Sequence, residues 1–263
     1  MGKLKYTHRG FFLSPPGGLF APNMDIKNFT ATFNKIAQSK SEENVFTDYL
    51  DMVICALSAG KHEEEYLSIV KHYKKEEVNL FCELLAEMII IMDDGGKGLV
   101  DCLGEFYQTN LSRGKHGQFF TPQHVSDFMA QITMDKDTAV GKRIIDPCCG
   151  SGRMLLSSAK VNRNNLFYGA DLDSRCVKMC AINLCLNGLP GEVAHMNSLS
   201  SEHWGGYTIE FMQPYLKVPI ITKLPANQGV IYNSAPFKKS EKQEQPPVQQ
   251  NNIITITQTK LEL

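Results

Sequence analysis

Residues 143–160, RIIDPCCGSGRMLLSSAK, constrain the fold of this chain more than any other segment. A short apolar run ends at Asp146, glycines follow at positions 150 and 152, and a second apolar run begins a helix. A strand, an acid, a glycine turn and a helix in this order predict the first βα unit of an open α/β sheet, with a ligand pocket at the carboxyl end of the strand. Glycine allows the sharp bend and the close approach of a ligand. The N–H groups at the helix start favour a negatively charged part of that ligand.

A second apolar run ends at Asp171, which follows the glycine turn by roughly 20 residues, the spacing at which a carboxylate binds the ribose of a nucleoside cofactor. Asp171 is therefore a candidate cofactor ligand. Asp173 is an alternative, but it also suits the N-cap of a helix over residues 174–187 that Gly188 terminates. A third strand is predicted over residues 192–196 and leads into Asn197.

The first half of the chain is helical in pattern. Apolar residues recur at helical period from residue 26 to residue 111, which predicts a helical module at residues 25–112 whose stripes form its core. Residues 1–24 are rich in proline and glycine without periodicity, and we expect a disordered leader there.

The last third of the chain carries weaker signals. Residues 198–228 show little strand or helix pattern, and the apolar run at 230–232 is a candidate fourth strand. The Lys/Glu/Gln/Pro tract at 238–252 should be unfolded. Residues 253–263 alternate apolar and polar side chains, so the polar tail at 238–263 has a possible edge strand.

The net charge and the distribution of apolar residues limit the partners and the location that we expect for this protein. A formal net charge of −1 predicts no global attraction to nucleic acid, so any contact with DNA requires a local basic face. The cluster Lys71, Lys74 and Lys75 and the loop at 113–116 are candidate phosphate contacts, although exposed lysines also serve solubility. No apolar run approaches the roughly 20 residues of a membrane helix, and no export signal is recognisable, so we expect a cytoplasmic location and no membrane contact.

The chain has eight cysteines but no CxxC pair, which favours buried thiols over disulfides. Cys176, Cys180 and Cys185 lie on or near one helical face, yet no histidine stands at ligand spacing nearby. We therefore expect no metal site.

Residues 117–122, GQFFTP, precede the first strand. Thr121 suits an N-cap and Pro122 the first position of a helix, whose apolar stripe continues through residues 125, 128, 129 and 132. A helix start does not explain two adjacent aromatic residues behind a glycine. This loop is predicted to close over one side of the ligand pocket.

The segments GQFFTP, DPCCGSGRML, YGADLD and NLCLNG together resemble the adenine-N6 DNA methyltransferases, in particular the modification subunits of type I restriction systems. The resemblance includes DCLGEFYQTNL, at the end of the helical module. It implies a Rossmann-like methyltransferase domain of the α/β class at residues 113–237 behind the helical module, with a second half that is truncated or divergent relative to the family. It also implies S-adenosyl-L-methionine as cofactor, DNA as substrate, and a specificity subunit or a second copy of the chain as partner.

The same resemblance assigns the cofactor site. It implies that S-adenosylmethionine is bound by two loops and by the residues that follow the second and third strands: Gly117, Gln118, Phe119, Phe120, Thr121, Pro122, Asp146, Pro147, Cys148, Gly150, Ser151, Gly152, Asp171, Leu172 and Asn197.

Catalysis in this family requires the adenine to be flipped out of the duplex, stacked on an aromatic ring and hydrogen-bonded at its Watson–Crick edge. An Asn-Pro-Pro-Tyr/Phe motif does this in the family, and the present sequence contains no such tetrapeptide. The nearest match is NSAPF, with Asn233, Pro236 and Phe237 as a degenerate catalytic set. Three functions follow: an adenine-N6 DNA methyltransferase, an inactive accessory protein that binds the cofactor or DNA, and a protein-glutamine methyltransferase.

Overall fold

The structure, a computed structural model, describes residues 25–112, 120–134, 141–212 and 218–234. The predicted leader and the polar tail lie outside these ranges, so both stay predictions, as do the predicted domain boundaries. Within the described ranges, no helix is both long and apolar enough to span a membrane.

The first described segment is a bundle of helices. Phe29 and Phe33 of the first helix contact the ring of Phe106 edge-on, at centroid distances of 4.9 and 4.7 Å. Buried aromatic pairs of this geometry add to the stabilisation that burial provides. The predicted helices of this module are thus confirmed, and most of their apolar residues form core or pack against it, although Leu67 is 47% exposed. Its helices are α1 (Lys27–Ala37), α2 (Glu42–Ala56), α3 (Glu63–Val70), α4 (Lys75–Asp93) and α5 (Cys102–Phe106).

A sheet of five strands follows α6 (Gln123–Thr133). Its first three strands are parallel and are joined by helices, which confirms the predicted α/β fold class. Asp146 pairs with Gly169, and Asp171 pairs with His195, so the carboxyl ends of neighbouring strands meet at one edge of the sheet. The units are β1 (Arg143–Asp146), α7 (Arg153–Val161), β2 (Leu166–Asp171), α8 (Ser174–Leu186) and β3 (Gly191–Asn197).

The prediction of an irregular segment at residues 198–228 was wrong. Two strands, β4 (Glu202–Phe211) and β5 (Pro219–Leu224), form an antiparallel hairpin that extends the sheet beyond β3. Gly206 interrupts the apolar alternation in β4 because it has no room for a side chain: a Cβ there would lie 2.2 Å from the Val193 carbonyl oxygen. The N–H of Ile221 donates to the Leu57 carbonyl oxygen (3.0 Å), which ties β5 to the helical module.

The prediction of a fourth strand at residues 230–232 was also wrong, because these residues begin the short helix α9 (Val230–Ser234). The buried carboxylate of Glu192 on β3 accepts hydrogen bonds from the N–H groups of Val230 (2.7 Å) and Ile231 (2.9 Å). A carboxylate at the start of a helix satisfies N–H groups that have no partner within the helix. The helix therefore depends on a contact distant in sequence.

The two faces of the sheet are covered differently. Phe167 and Val193 pack with α7, α8 and the helical module in one continuous core. Ala170 and Ala194 alternate with these residues along the strands and contact Ile231 of α9 instead, so α9 lies on the opposite face.

Helix α6 packs against α7 through its small residues Ser126 and Ala130. The apolar stripe predicted for this helix is exposed instead of forming core, with Phe128 and Ile132 each 60% exposed.

Candidate functional site

The glycine turn has the geometry that its sequence predicts. β1 ends at Asp146, and Gly150 and Gly152 adopt φ angles of +53° and +89° before α7 begins. A Cβ on Gly152 would lie 2.7 Å from the Sγ atom of Cys180. Because positive φ strains other residues and the space is already filled, glycine is required here.

The loops after the three parallel strands are joined at this edge. The Gly150 N–H donates to Oδ2 of Asp171 (2.8 Å), which connects the turn after β1 to the end of β2. The Ser198 hydroxyl, just beyond β3, donates to the Pro147 carbonyl oxygen (2.6 Å). Asp146 accepts from the Cys148 N–H (3.1 Å). The structure thus brings Asp146, the glycine turn and Asp171 together, as the sequence predicts.

The electrostatics of this edge favour a cationic ligand. Loss of water around Asp146 raises the pKa of its carboxyl above the ordinary 3.8; the Cys148 N–H opposes the shift and the charge of Asp171 adds to it. Among the residues that the structure describes, no lysine, arginine or histidine forms a salt bridge with Asp146 or Asp171. A positively charged group bound between the two acids would relieve their repulsion.

Phe120 lies against the glycine turn, as predicted for the loop that precedes β1. A Cβ on Gly150 would lie 3.0 Å from the Phe120 ring, which also stacks on Tyr107 at a centroid distance of 6.0 Å. The predicted helix start is wrong by one residue, because Pro122 occupies the N-cap position and Thr121 precedes it without capping. Gly117, Gln118 and Phe119 lie outside the described residues.

The two acids after β2 have different environments. Asp173 is the N-cap of α8: its Oδ1 atom accepts from the Arg175 N–H (2.8 Å), and its other oxygen pairs with the Arg175 guanidinium. Asp171 contacts the glycine turn instead. This division favours Asp171 over Asp173 as a ligand, although the role of Asp171 stays a prediction.

Leu172 and Asn197 flank the same edge. Leu172 is 61% exposed, and its carbonyl oxygen contacts the imidazole Nε2 of His195 at 3.1 Å. The Asn197 side-chain oxygen accepts from the N–H groups of Leu199 and Ser200, so it shapes the turn after β3. The nearby Leu199 is 90% exposed.

The predicted catalytic set is only partly described. Asn233 is exposed on α9, while Pro236 and Phe237 lie outside the described residues. Ile231 on the same helix packs against the small cluster formed by Ala170, Ala194 and Met196. The structure therefore places Asn233 on the sheet face opposite α7 and α8.

Sequence reasoning missed a buried polar group beneath the glycine turn. Asp101 is fully buried at the end of the helical module, and it contacts Ser151, Arg153 and Asn183. Arg153 follows directly after Gly152 and is only 5% exposed, which is unusual for arginine. Its position beside the turn was visible in the sequence, but nothing local connects it to a residue 52 positions earlier.

The cysteines and lysines singled out in the sequence have ordinary environments. Cys176, Cys180 and Cys185 are buried free thiols, and burial raises the pKa of the Cys185 thiol to about 12. The described ranges contain no group of His, Cys, Asp or Glu side chains arranged to hold a metal ion. Lys71, Lys74 and Lys75 are exposed, and the loop at 113–116 lies outside the described residues.

Comparison with known proteins adds independent information. The sequence model of the N-6 DNA Methylase family matches residues 100–258. The methylase subunit of the type I restriction enzyme MpnII of Mycoplasma pneumoniae is 25% identical over 226 residues, which cover 74% of this chain and 40% of that protein. The MjaVIII methylase subunit of Methanocaldococcus jannaschii is 30% identical over 172 residues, or 62% of this chain and 26% of that protein. The present chain thus spans well under half the length of either relative.

One solved structure is also similar, a type I restriction-modification methyltransferase subunit from Streptococcus thermophilus. It is 20% identical, with a TM-score of 0.35, and the match covers 63% of this chain and 38% of that chain.

Proposed function

Because the chain belongs to the N-6 DNA methylase family of type I restriction-modification methylases, we propose that it binds S-adenosylmethionine and transfers the methyl group to N6 of adenine in DNA. We further propose that a specificity subunit or a second copy of the chain supplies recognition of the target sequence. The proposal is carried by one observation: Asp146, the glycine turn and Asp171 converge at the carboxyl ends of adjacent parallel strands.

The described residues fit S-adenosylmethionine. The positive charges of its amino and sulfonium groups suit an edge where two carboxylates lack basic partners in the described ranges. Asp171 would accept from the ribose hydroxyls, and the N–H groups at the start of α7 would favour the carboxylate. Phe120 and the exposed Leu172 would exclude water from its apolar parts.

Methyl transfer also requires an activated acceptor. S-adenosylmethionine supplies an electrophilic methyl group, whereas the adenine amine is a poor nucleophile because its lone pair is delocalised into the ring. The side-chain oxygen of Asn233 would accept a hydrogen bond from that amine and favour the lone pair for attack. The bond between sulfur and the methyl carbon would break as the N6–methyl bond forms, so that S-adenosylhomocysteine leaves as a neutral thioether. N6 would then release one proton to water.

A second function is favoured by the position of α9. Asn233 is exposed on a short helix that lies over β2 and β3. It does not directly follow a strand, because β5 ends at Leu224 and the helix begins only at Val230. This placement suits a protein that binds S-adenosylmethionine but does not transfer the methyl group. Such a protein would act as an accessory to another methyltransferase.

Calorimetry with S-adenosylmethionine and its demethylated product tests the binding site. We expect saturable binding to the wild type and about ten- to a hundredfold weaker binding to Asp171→Asn, because a hydrogen bond to a charged group is lost. Asp173→Asn is the matched control: asparagine is an equally good N-cap, so α8 and the affinity should be retained. A larger loss in Asp173→Asn would identify Asp173 as the ligand, and no binding to the wild type would reject the proposal.

Transfer of tritium from labelled S-adenosylmethionine distinguishes the functions. Label in DNA that contains adenine, and none in DNA without it, supports the N6 methyltransferase. Binding without transfer, even with specificity subunits added, selects the accessory function. Label in protein instead of DNA would select a protein-glutamine methyltransferase.

A further inference from the structure

We infer that Asp101 and Arg153 are positioning residues that hold both predicted cofactor loops in place, so that the helical module sets the affinity for S-adenosylmethionine. The inference rests on the proposed function for the identity of the ligand. Asp101 belongs to the helical module and Arg153 begins α7, and neither is among the residues predicted to touch the cofactor.

The carboxylate of Asp101 is the centre of the buried group. Its Oδ1 atom accepts from the Gly104 N–H and from the Asn183 side chain, both at 2.9 Å. Its Oδ2 atom accepts from the Ser151 hydroxyl (2.5 Å) and from Nε of Arg153 (3.0 Å). A fully buried carboxylate with four donors is well satisfied, and each partner is held in a defined position.

Two of these partners belong to the glycine turn and its helix. Ser151 lies between the two glycines with positive φ, and its carbonyl oxygen accepts from the Asn183 side chain (2.8 Å). Glycine has the greatest backbone freedom of any residue. The turn therefore needs bonds from outside to stay in one conformation, and Asp101 and Asn183 provide them.

Arg153 connects the turn to the second loop. Its guanidinium donates to the Thr121 carbonyl oxygen (3.1 Å) and pairs with Glu105 (3.4 Å) in addition to Asp101. One buried arginine thus joins the loop before α6, the helical module and the first residue of α7. Loss of its partner Asp101 would leave a buried charge without full compensation.

The hydrogen-bonded group around Asp101 is also tightly packed. A Cβ on Gly104 would lie 2.1 Å from Oδ2 of Asp101 and 2.3 Å from the Ser151 hydroxyl oxygen. The backbone of the helical module at Gly104 therefore lies so close to the turn that no side chain fits between them. Displacement of α5 would move the turn with it.

The test compares two Asp→Asn variants. Asp101→Asn removes the charge beneath the turn. Asp51→Asn is the matched control, because the Asp51–Lys178 ion pair (2.6 Å) also joins the helical module to α8 but has no contact with the turn. Ser151→Ala is a milder variant that removes one of the four donors and retains the charge.

Two readouts are needed. The first is hydrogen exchange of the Gly150 and Gly152 amides, which are bonded to Asp171 and to the Cys149 carbonyl oxygen and need no ligand for the measurement. The second is the Kd for S-adenosylmethionine. Asp101→Asn should accelerate exchange at both amides and raise the Kd by about tenfold or more, and Ser151→Ala should have a smaller effect of the same kind. Asp51→Asn should leave both unchanged.

Wild-type exchange at the turn in Asp101→Asn would overturn the inference, as would an equal acceleration in Asp51→Asn. If Asp101→Asn does not fold, the comparison of Ser151→Ala with Asp51→Asn decides the outcome by amide exchange alone, because Ser151 is itself among the predicted cofactor residues. If the wild type binds no S-adenosylmethionine, the proposed function fails, whereas the exchange data still decide whether Asp101 positions the turn.

Discussion

The N–H of Gly150 donates to Oδ2 of Asp171 at 2.8 Å, so the turn after β1 is bonded to the end of β2. This contact joins residues 21 positions apart and aligns the two halves of the proposed cofactor site. It also means that substitutions in the turn and at the end of β2 should affect each other.

Substitution of Gly152 by alanine should destabilise the fold more than the same change at Gly141. Both residues have positive φ, for which a side chain costs about 1–2 kcal/mol, but a Cβ on Gly141 meets nothing within 4 Å. Gly152→Ala adds the clash with Cys180, which should cost about 1–3 kcal/mol more. Urea unfolding of Gly152→Ala, Cys180→Ala and the double variant measures this directly. Additive losses would show that the clash does not exist.

Asp146→Asn should stabilise the protein at neutral pH while it weakens cofactor binding. Burial raises the pKa of the Asp146 carboxyl, so the folded state binds the carboxyl proton more tightly than the unfolded state does. Ionisation of Asp146 at higher pH therefore lowers the stability of the fold. The gain in Tm should be present at pH 7 and should shrink as the pH falls toward the ordinary value of 3.8. A variant with a Tm below that of the wild type at pH 7 would contradict this prediction. Glu210→Gln, which removes an exposed carboxylate on β4, is the control.

Glu192→Gln should release α9 from the sheet. One of the two N–H groups at the helix start would then face an amide N–H₂ in place of a carboxylate oxygen, at a cost of about 1–3 kcal/mol. The free energy of unfolding and the exchange rates of the Val230 and Ile231 amides report the change. Unchanged exchange at these amides would mean that Glu192 does not hold the helix.

Asn233→Ala should slow methyl transfer without changing the affinity for S-adenosylmethionine. Loss of one hydrogen bond to the reacting group costs about 100-fold in rate, and stability should change little because the side chain is exposed. Steady-state transfer and calorimetry separate the two effects, with Asn164→Ala, an exposed change just before β2, as the control. Full activity in Asn233→Ala would exclude Asn233 from catalysis.

The sequence predicts β1 and β2 well because each apolar run ends at an acid. The glycines between the two runs indicate the turn that leads from β1 into a helix. It did not reveal β4, since Gly205 and Gly206 break the apolar alternation where the backbones approach closely. The same limit applies to α9, whose five residues resemble a strand and whose first N–H is satisfied by a residue 38 positions away. Local pattern cannot report a partner that only the tertiary fold supplies.

The candidate site divides in the same way. Asp146, the glycine turn and Asp171 follow from strand ends and spacing, and the fold brings them together. Asp101 and Asn183 were not predictable, because their hydrogen bond joins positions 82 residues apart. The resemblance of DCLGEF to the family indicated that this segment matters, but only the packing shows what its acid contacts.

The buried pair of Asp101 and Arg153 also restricts how such a protein can diverge. The arginine stands in the most recognisable segment of the chain, while its counter-charge belongs to another module. An ancestor that exchanged its helical module for an unrelated one would inherit an arginine without a counter-charge. The two modules should therefore be inherited together, and a recombination junction placed between them is expected to yield a defective hybrid unless the incoming module supplies an acid at the same place.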